Sequence, residues 1–138
     1  MKHETIQTAP FRADLADAPK GVHCVWVKPG AARIRVAWWK AGKKGTVFLL
    51  PGRTECIEKY GRAAGDLTAR GFSVITVDWR GQGLADRPLK DPRAGHVEDF
   101  SEYQQDLDAM LAEAARAGLP TPYYLLGHSM GGAIGFRA

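Results

Sequence analysis

The chain has 138 residues, 45% of them hydrophobic and 25% charged, a balance that excludes disordered, collagen-like and coiled-coil classes. A single domain of this size buries roughly 68% of its unfolded surface, enough for a core without disulfides or metals. The 19 basic and 15 acidic side chains give a net charge of +4, and because the basic residues are scattered rather than gathered in a stripe, they argue against nucleic-acid binding.

Residues 1–20 mix charged and small residues with Pro10 and Pro19, lack apolar periodicity, and read as a flexible N-terminal arm. They hold no apolar stretch of the roughly 7–15 residues that a secretion signal needs. Nowhere does an apolar run approach the ~20 residues that span a bilayer, so a cytoplasmic location is expected. Cys24 and Cys56 have neither a disulfide framework nor metal-ligand spacing around them and read as reduced thiols; no metal is expected.

Residues 21–138 read as one folded unit. His23 to Val27 and Ile34 to Trp38 alternate apolar with polar or small residues around the Pro29-Gly30 turn, which predicts an antiparallel hairpin with one buried face per strand. Lys43-Lys44, flanked by Gly42 and Gly45, reads as a second, solvated hairpin turn. Thr46 to Leu50 and Phe72 to Val77 are continuous apolar runs, the pattern of parallel strands buried on both faces. Between them Ile57, Tyr60, Ala64 and Leu67 recur at helical spacing. Thr54 is placed to cap this helix, Glu55 and Glu58 favour its first turn, and Gly71 ends it.

A longer amphipathic helix is expected from Glu98 to Ala117, with Ser101 and Gln104 as a capping box. Tyr123 to Leu126 then forms another buried strand. The alternation of strand and helix predicts a mostly parallel α/β sheet with helices on both faces, led by the antiparallel hairpin.

The last strand runs into Gly127-His128-Ser129-Met130-Gly131-Gly132, followed by the apolar start of a helix. A serine at the tip of a strand-to-helix turn sits on a strained backbone, and glycines at 127 and 131 remove the collisions that side chains would make there. Ser129 is thereby lifted out as a nucleophile, and the Met130 N–H lies at a helix N-terminus, where it stabilises a developing oxyanion. A second donor is expected from Pro51-Gly52-Arg53-Thr54, with the Arg53 N–H preferred over Thr54. Two lookalikes fail: as a dinucleotide fingerprint Gly81-Gln82-Gly83 has Asp86 in the sixth position, and as a phosphate loop Ala41 to Thr46 lacks the required spacing.

These motifs resemble the N-terminal half of an α/β-hydrolase of the lysophospholipase and monoacylglycerol lipase-like group. The resemblance rests on Leu49-Leu50-Pro51-Gly52-Arg53-Thr54-Glu55, Asp78-Trp79-Arg80-Gly81-Gln82-Gly83 and the serine motif, in that order over residues 46–138, with Asp91 to Val97 similar to the lysophospholipase branch. Pro51 stands where many relatives have histidine. The resemblance implies a structural role for Gly52, Asp78 and Arg80, which hold the loops near the site. It also implies a serine hydrolase that cleaves monoacyl lipid esters without a cofactor.

The fold's order of Ser, then acid, then His cannot be completed within the nine residues after Ser129, which hold no Asp, Glu or His. His128 reads as a pocket or packing residue, His96 as structural, and His3 and His23 lie far from any motif. The remaining strands, the lid and the other triad members are expected beyond residue 138. Contact with the inner face of the membrane through that lid stays open, and the isolated chain is expected to self-associate through its last strand. The alternatives are a peptidase, a small-ester or lactone hydrolase on the same fold, and a non-catalytic fragment or half-domain. Ser129 stands where epoxide hydrolases carry a carboxylate.

Overall fold

The computed structural model describes residues 7–14, 16–29, 33–52, 55–80, 85 and 101–127. In chain order these form β1 (Gln7–Thr8), β2 (His23–Val27), β3 (Ile34–Trp39), β4 (Thr46–Leu50), a 3-10 turn (Ile57–Tyr60), α1 (Gly61–Ala69), β5 (Ser73–Asp78), α2 (Ser101–Arg116) and β6 (Tyr123–Gly127). The six strands make one sheet in the order β1-β2-β3-β5-β4-β6. β2 and β3 pair antiparallel as the alternation predicts, β3 joins β5 antiparallel, and β5, β4 and β6 run parallel.

The period of two along the central strands sorts their side chains between two cores. Val36, Trp38, Phe48, Leu50, Ile75 and Val77 face α2, which buries Tyr103, Leu107, Met110 and Ala114 against them. Ala37, Trp39, Val47, Leu49 and Val74 face the other way, toward Ile57 of the 3-10 turn, Ala64 of α1 and Ala9 of the N-terminal segment. Both faces of the sheet are thus covered, which is why β4 and β5 are continuously apolar.

Four expectations about the sheet need correction. The chain enters the sheet before residue 21: β1 pairs with β2, and the Ala9 amide donates to the Cys24 carbonyl at 2.8 Å. β3 is buried on both faces, Arg35 included, because that arginine is neutralised inside the protein instead of facing water. Lys43 and Lys44 are exposed in a turn, but the turn is no hairpin, since β5 lies between β3 and β4. The fourth concerns β6, expected buried and in fact exposed from Tyr124 to Gly127, because it is the sheet's edge strand among the described residues.

The helix expected from Thr54 begins instead as the 3-10 turn after Cys56, with no side-chain cap there. Thr54 and the side chain of Ser101 lie outside the described residues. At the other end of α1, Gly71 adopts φ +94°. Its N–H donates to the Thr68 carbonyl at 3.0 Å, and the Phe72 N–H to the Leu67 carbonyl at 3.1 Å, the paired closure of a helix that ends on a left-handed glycine. α2 closes in the same way: Gly118 donates to Ala115, and Leu119 to Ala114. Both cysteines are free thiols. Burial, partly offset by the nearby Arg35 charge, pushes the Cys24 thiol up to about 12, so it is protonated and unreactive at neutral pH.

Candidate active site

Parallel strands end on the same side of a sheet, so their C-terminal ends deliver several loops to one edge, where ligands of open α/β sheets bind. Here that edge receives Pro51-Gly52 from β4, Asp78-Trp79-Arg80 from β5 and Gly127 from β6. Leu50 of β4 is in register with Gly127 of β6. The first glycine of the serine motif therefore stands beside the strand end that leads into Pro51-Gly52. Ser129, Met130, Gly131 and Arg53 themselves lie outside the described residues, as do His96 and His128.

Two buried ion-pair systems support this edge. The Asp78 carboxylate accepts from Arg35 Nε at 2.8 Å through Oδ2 and from the Ile57 N–H at 2.9 Å through Oδ1, so it ties β3, β5 and the entry to the first helix together. Arg35 also donates to both oxygens of Glu58, at 2.7 and 2.6 Å, and to the Pro10 carbonyl at 2.8 Å. Arg80 turns the other way. Its backbone N–H and its guanidinium both donate to Asp106 of α2, at 3.0 Å to Oδ2 and at 3.1 and 2.8 Å to Oδ1. Asp78 and Arg80 thus pair with Arg35 and Asp106 on opposite faces of the sheet.

The Pro51-Gly52 corner is held just as closely. Trp79, fully buried and edge-on to Tyr103 with ring centroids 5.9 Å apart, donates its indole N–H to the Pro51 carbonyl at 2.8 Å. On the other side Glu55 accepts the Gly52 N–H. The same Glu55 oxygen accepts from the Tyr60 hydroxyl at 2.7 Å, and its other oxygen meets the Lys59 ammonium. Burial first, and then the bond to Glu55, push the Tyr60 phenol well above its ordinary range, so it donates as a neutral hydroxyl. No group of three or more His, Cys, Asp and Glu side chains among the described residues is arranged to hold a metal.

From the sequence, Glu55 and Glu58 read only as residues that favour a helix N-terminus, and Asp106 and Trp79 only as members of their segments. A signal for Glu55 was present: a Glu three residues after Gly52 has the spacing of a capping box, in which the later carboxylate reaches back to the earlier backbone N–H. Glu58, Arg35 and Asp106 gave none, because their partners are 20 or more residues away in sequence.

With this frame in place, the profile of the family described as serine aminopeptidase, S33, matches residues 41–138. The chain belongs to that family. Lysophospholipase L2 of Escherichia coli K12 is 46% identical over 88 residues, which cover 64% of this chain and 26% of that protein. A monoacylglycerol lipase of Mycolicibacterium smegmatis is 32% identical over 109 residues, 78% of this chain and 37% of its own. The chain thus spans well under half the length of these two relatives.

Among solved structures, the thioesterase domain from the curacin biosynthetic pathway superposes with a TM-score of 0.67 at 22% identity, over 86% of this chain and 39% of that one. The epoxide hydrolase VrEH1 of Vigna radiata gives 0.64 at 21%, over 84% and 33%. Such likeness shows the α/β-hydrolase fold alone. No helix among the described residues is long and apolar enough to cross a membrane.

Proposed function

We propose that the complete protein is a serine hydrolase that cleaves monoacyl lipid esters, a lysophospholipid or a monoacylglycerol, through an acyl-enzyme. The observation that carries this reading is the register of Leu50 with Gly127: the loop that opens with Pro51-Gly52 and the G-x-S-x-G motif leave neighbouring parallel strands at one edge. Ser129 Oγ attacks the ester carbonyl while a histidine supplied by the polypeptide after residue 138 takes its proton. The Met130 and Arg53 amides stabilise the oxyanion. Collapse of the tetrahedral intermediate expels the alcohol, to which the histidine returns the proton, and water then releases the fatty acid by the same steps.

The lipid substrate class is supported by the two relatives, a lysophospholipase and a monoacylglycerol lipase by name, and the family's name, serine aminopeptidase, offers a peptidase as the second reading. The full-length protein is expected to react covalently with a fluorophosphonate probe and to lose that label in Ser129→Ala. Hydrolysis of lysophosphatidylcholine or monoacylglycerol well above that of an aminoacyl anilide supports the lipase reading, and the reverse order replaces it with the peptidase. Absence of a Ser129-dependent label sinks both.

A further inference from the structure

A backbone amide stabilises an oxyanion only if its peptide plane is held in one orientation, because a flipped plane presents the carbonyl instead of the N–H. The peptide unit that joins Pro51 to Gly52 is gripped at both polar atoms. Its carbonyl accepts the Trp79 indole N–H at 2.8 Å, and its N–H is donated to Glu55. The two grips come from opposite sides of the sheet, since Trp79 packs in the α2 core while Glu55 precedes the 3-10 turn that packs on the other face. Proline also fixes φ at residue 51.

Glu55 is itself anchored. It is 9% exposed, and the Tyr60 hydroxyl and Lys59 ammonium bind its two oxygens. Such a carboxylate is costly to bury for packing alone, and its bond to an amide is of the stronger, charge-assisted kind. We infer that Glu55 is the positioning residue of the oxyanion loop: its carboxylate takes the Gly52 N–H and, together with Trp79, locks the Pro51-Gly52 peptide. This rests on the serine hydrolase reading above. Gly52 contributes no N–H to the substrate, and Glu55 acts through the loop without touching the reacting atoms.

The test compares Glu55→Ala, Glu55→Gln and Trp79→Phe in the full-length protein, with thermal unfolding as a check on folding. Glu55→Ala is expected to lower kcat by about 10²-fold with KM nearly unchanged, the signature of a lost transition-state contact. Glutamine keeps an acceptor oxygen for Gly52, and the largely exposed Lys59 can swing away from the amide, so Glu55→Gln is expected to stay within about fivefold of wild type. Trp79→Phe keeps the ring and removes only the N–H. It loosens the same peptide from its other end, and is expected to lower kcat by about tenfold even if the alanine variant fails to fold.

Amide hydrogen exchange at Gly52 gives a readout independent of activity: protection is lost in Glu55→Ala and kept in Glu55→Gln. Unchanged kcat in the folded alanine variant, or equal losses for alanine and glutamine, overturns the inference while leaving Ser129 labelling, and with it the hydrolase reading, intact. If wild type lacks a Ser129 label the functional reading fails by itself, and Gly52 exchange still decides whether Glu55 holds the loop.

Discussion

Arg35 is fully buried, and its charge is tolerated only because two carboxylates, Glu58 and Asp78, meet it inside the sheet. Burial alone would raise the Glu58 carboxyl, but the hydrogen bonds from Arg35 and the Arg12 amide, with the Arg35 charge, hold it below its ordinary 4.5. A carboxyl whose folded value is depressed contributes stability above its unfolded value, and this is lost as pH falls through the folded value, because the unfolded chain takes up the proton first. Chemical denaturation between pH 7 and pH 3 should therefore show stability falling from about pH 4.5 downward. Glu58→Gln should be less stable at neutral pH and flatter over the acid limb. An acid limb as steep in Glu58→Gln as in wild type would remove Glu58 from the account. The same groups hold the N-terminal segment, Arg35 donating to the Pro10 carbonyl and Glu58 accepting the Arg12 amide, so protonation of Glu58 is expected to weaken the second of these contacts.

Elements meet at tight backbone crossings, and the turn after β3 is the clearest. Gly42 adopts φ +55°, and a Cβ built on it would lie 2.1 Å from the Gly71 carbonyl oxygen. Gly71, at φ +94°, would present its Cβ to the side chain of Lys44 at 3.3 Å, which can move aside. Gly71→Ala is thus expected to cost about 1–2 kcal/mol from its left-handed backbone alone, and Gly42→Ala clearly more, because two main chains must separate. Urea midpoints of the two variants at constant m-value check the order.

The reason Gly42 is needed was not legible in the sequence, where Gly42-Lys43-Lys44-Gly45 looked like a hairpin; only the insertion of β5 between β3 and β4 brings residue 71 against residue 42. Local periodicity did reveal the β2–β3 pairing, the buried runs of β4 and β5 and the long α2, since each follows from side chains within one segment. β1 has two residues and no period to read, and Arg35 in a strand looked like a solvent face because its partners are remote. At the site, the glycine and serine motifs were legible because backbone geometry dictates them. The tethers from Trp79, Glu55 and Asp106 needed the fold.

At the scale of the whole molecule, the sheet formed by the described residues ends in strands of opposite character. β1 is a two-residue strand of polar residues, short enough to discourage further pairing. β6 ends the opposite edge with Tyr124, Leu125 and Leu126 at 47%, 48% and 55% exposure. Paired parallel to β4 on one side, β6 has a backbone edge and apolar side chains suited to another strand. The 138-residue polypeptide made by itself is therefore expected to self-associate through β6, with light-scattering mass rising with concentration. Leu126→Lys places a charge on that strand and should shift the population toward monomer without lowering the unfolding midpoint, since residue 126 contributes little to either core. A wild-type polypeptide that stays monomeric at high concentration, or a lysine variant that associates equally, would mean that the β6 edge is covered. In the full-length protein the same substitution tests whether further polypeptide packs here. A charge buried under it should lower the unfolding midpoint sharply, whereas an edge that stays in water should leave it unmoved.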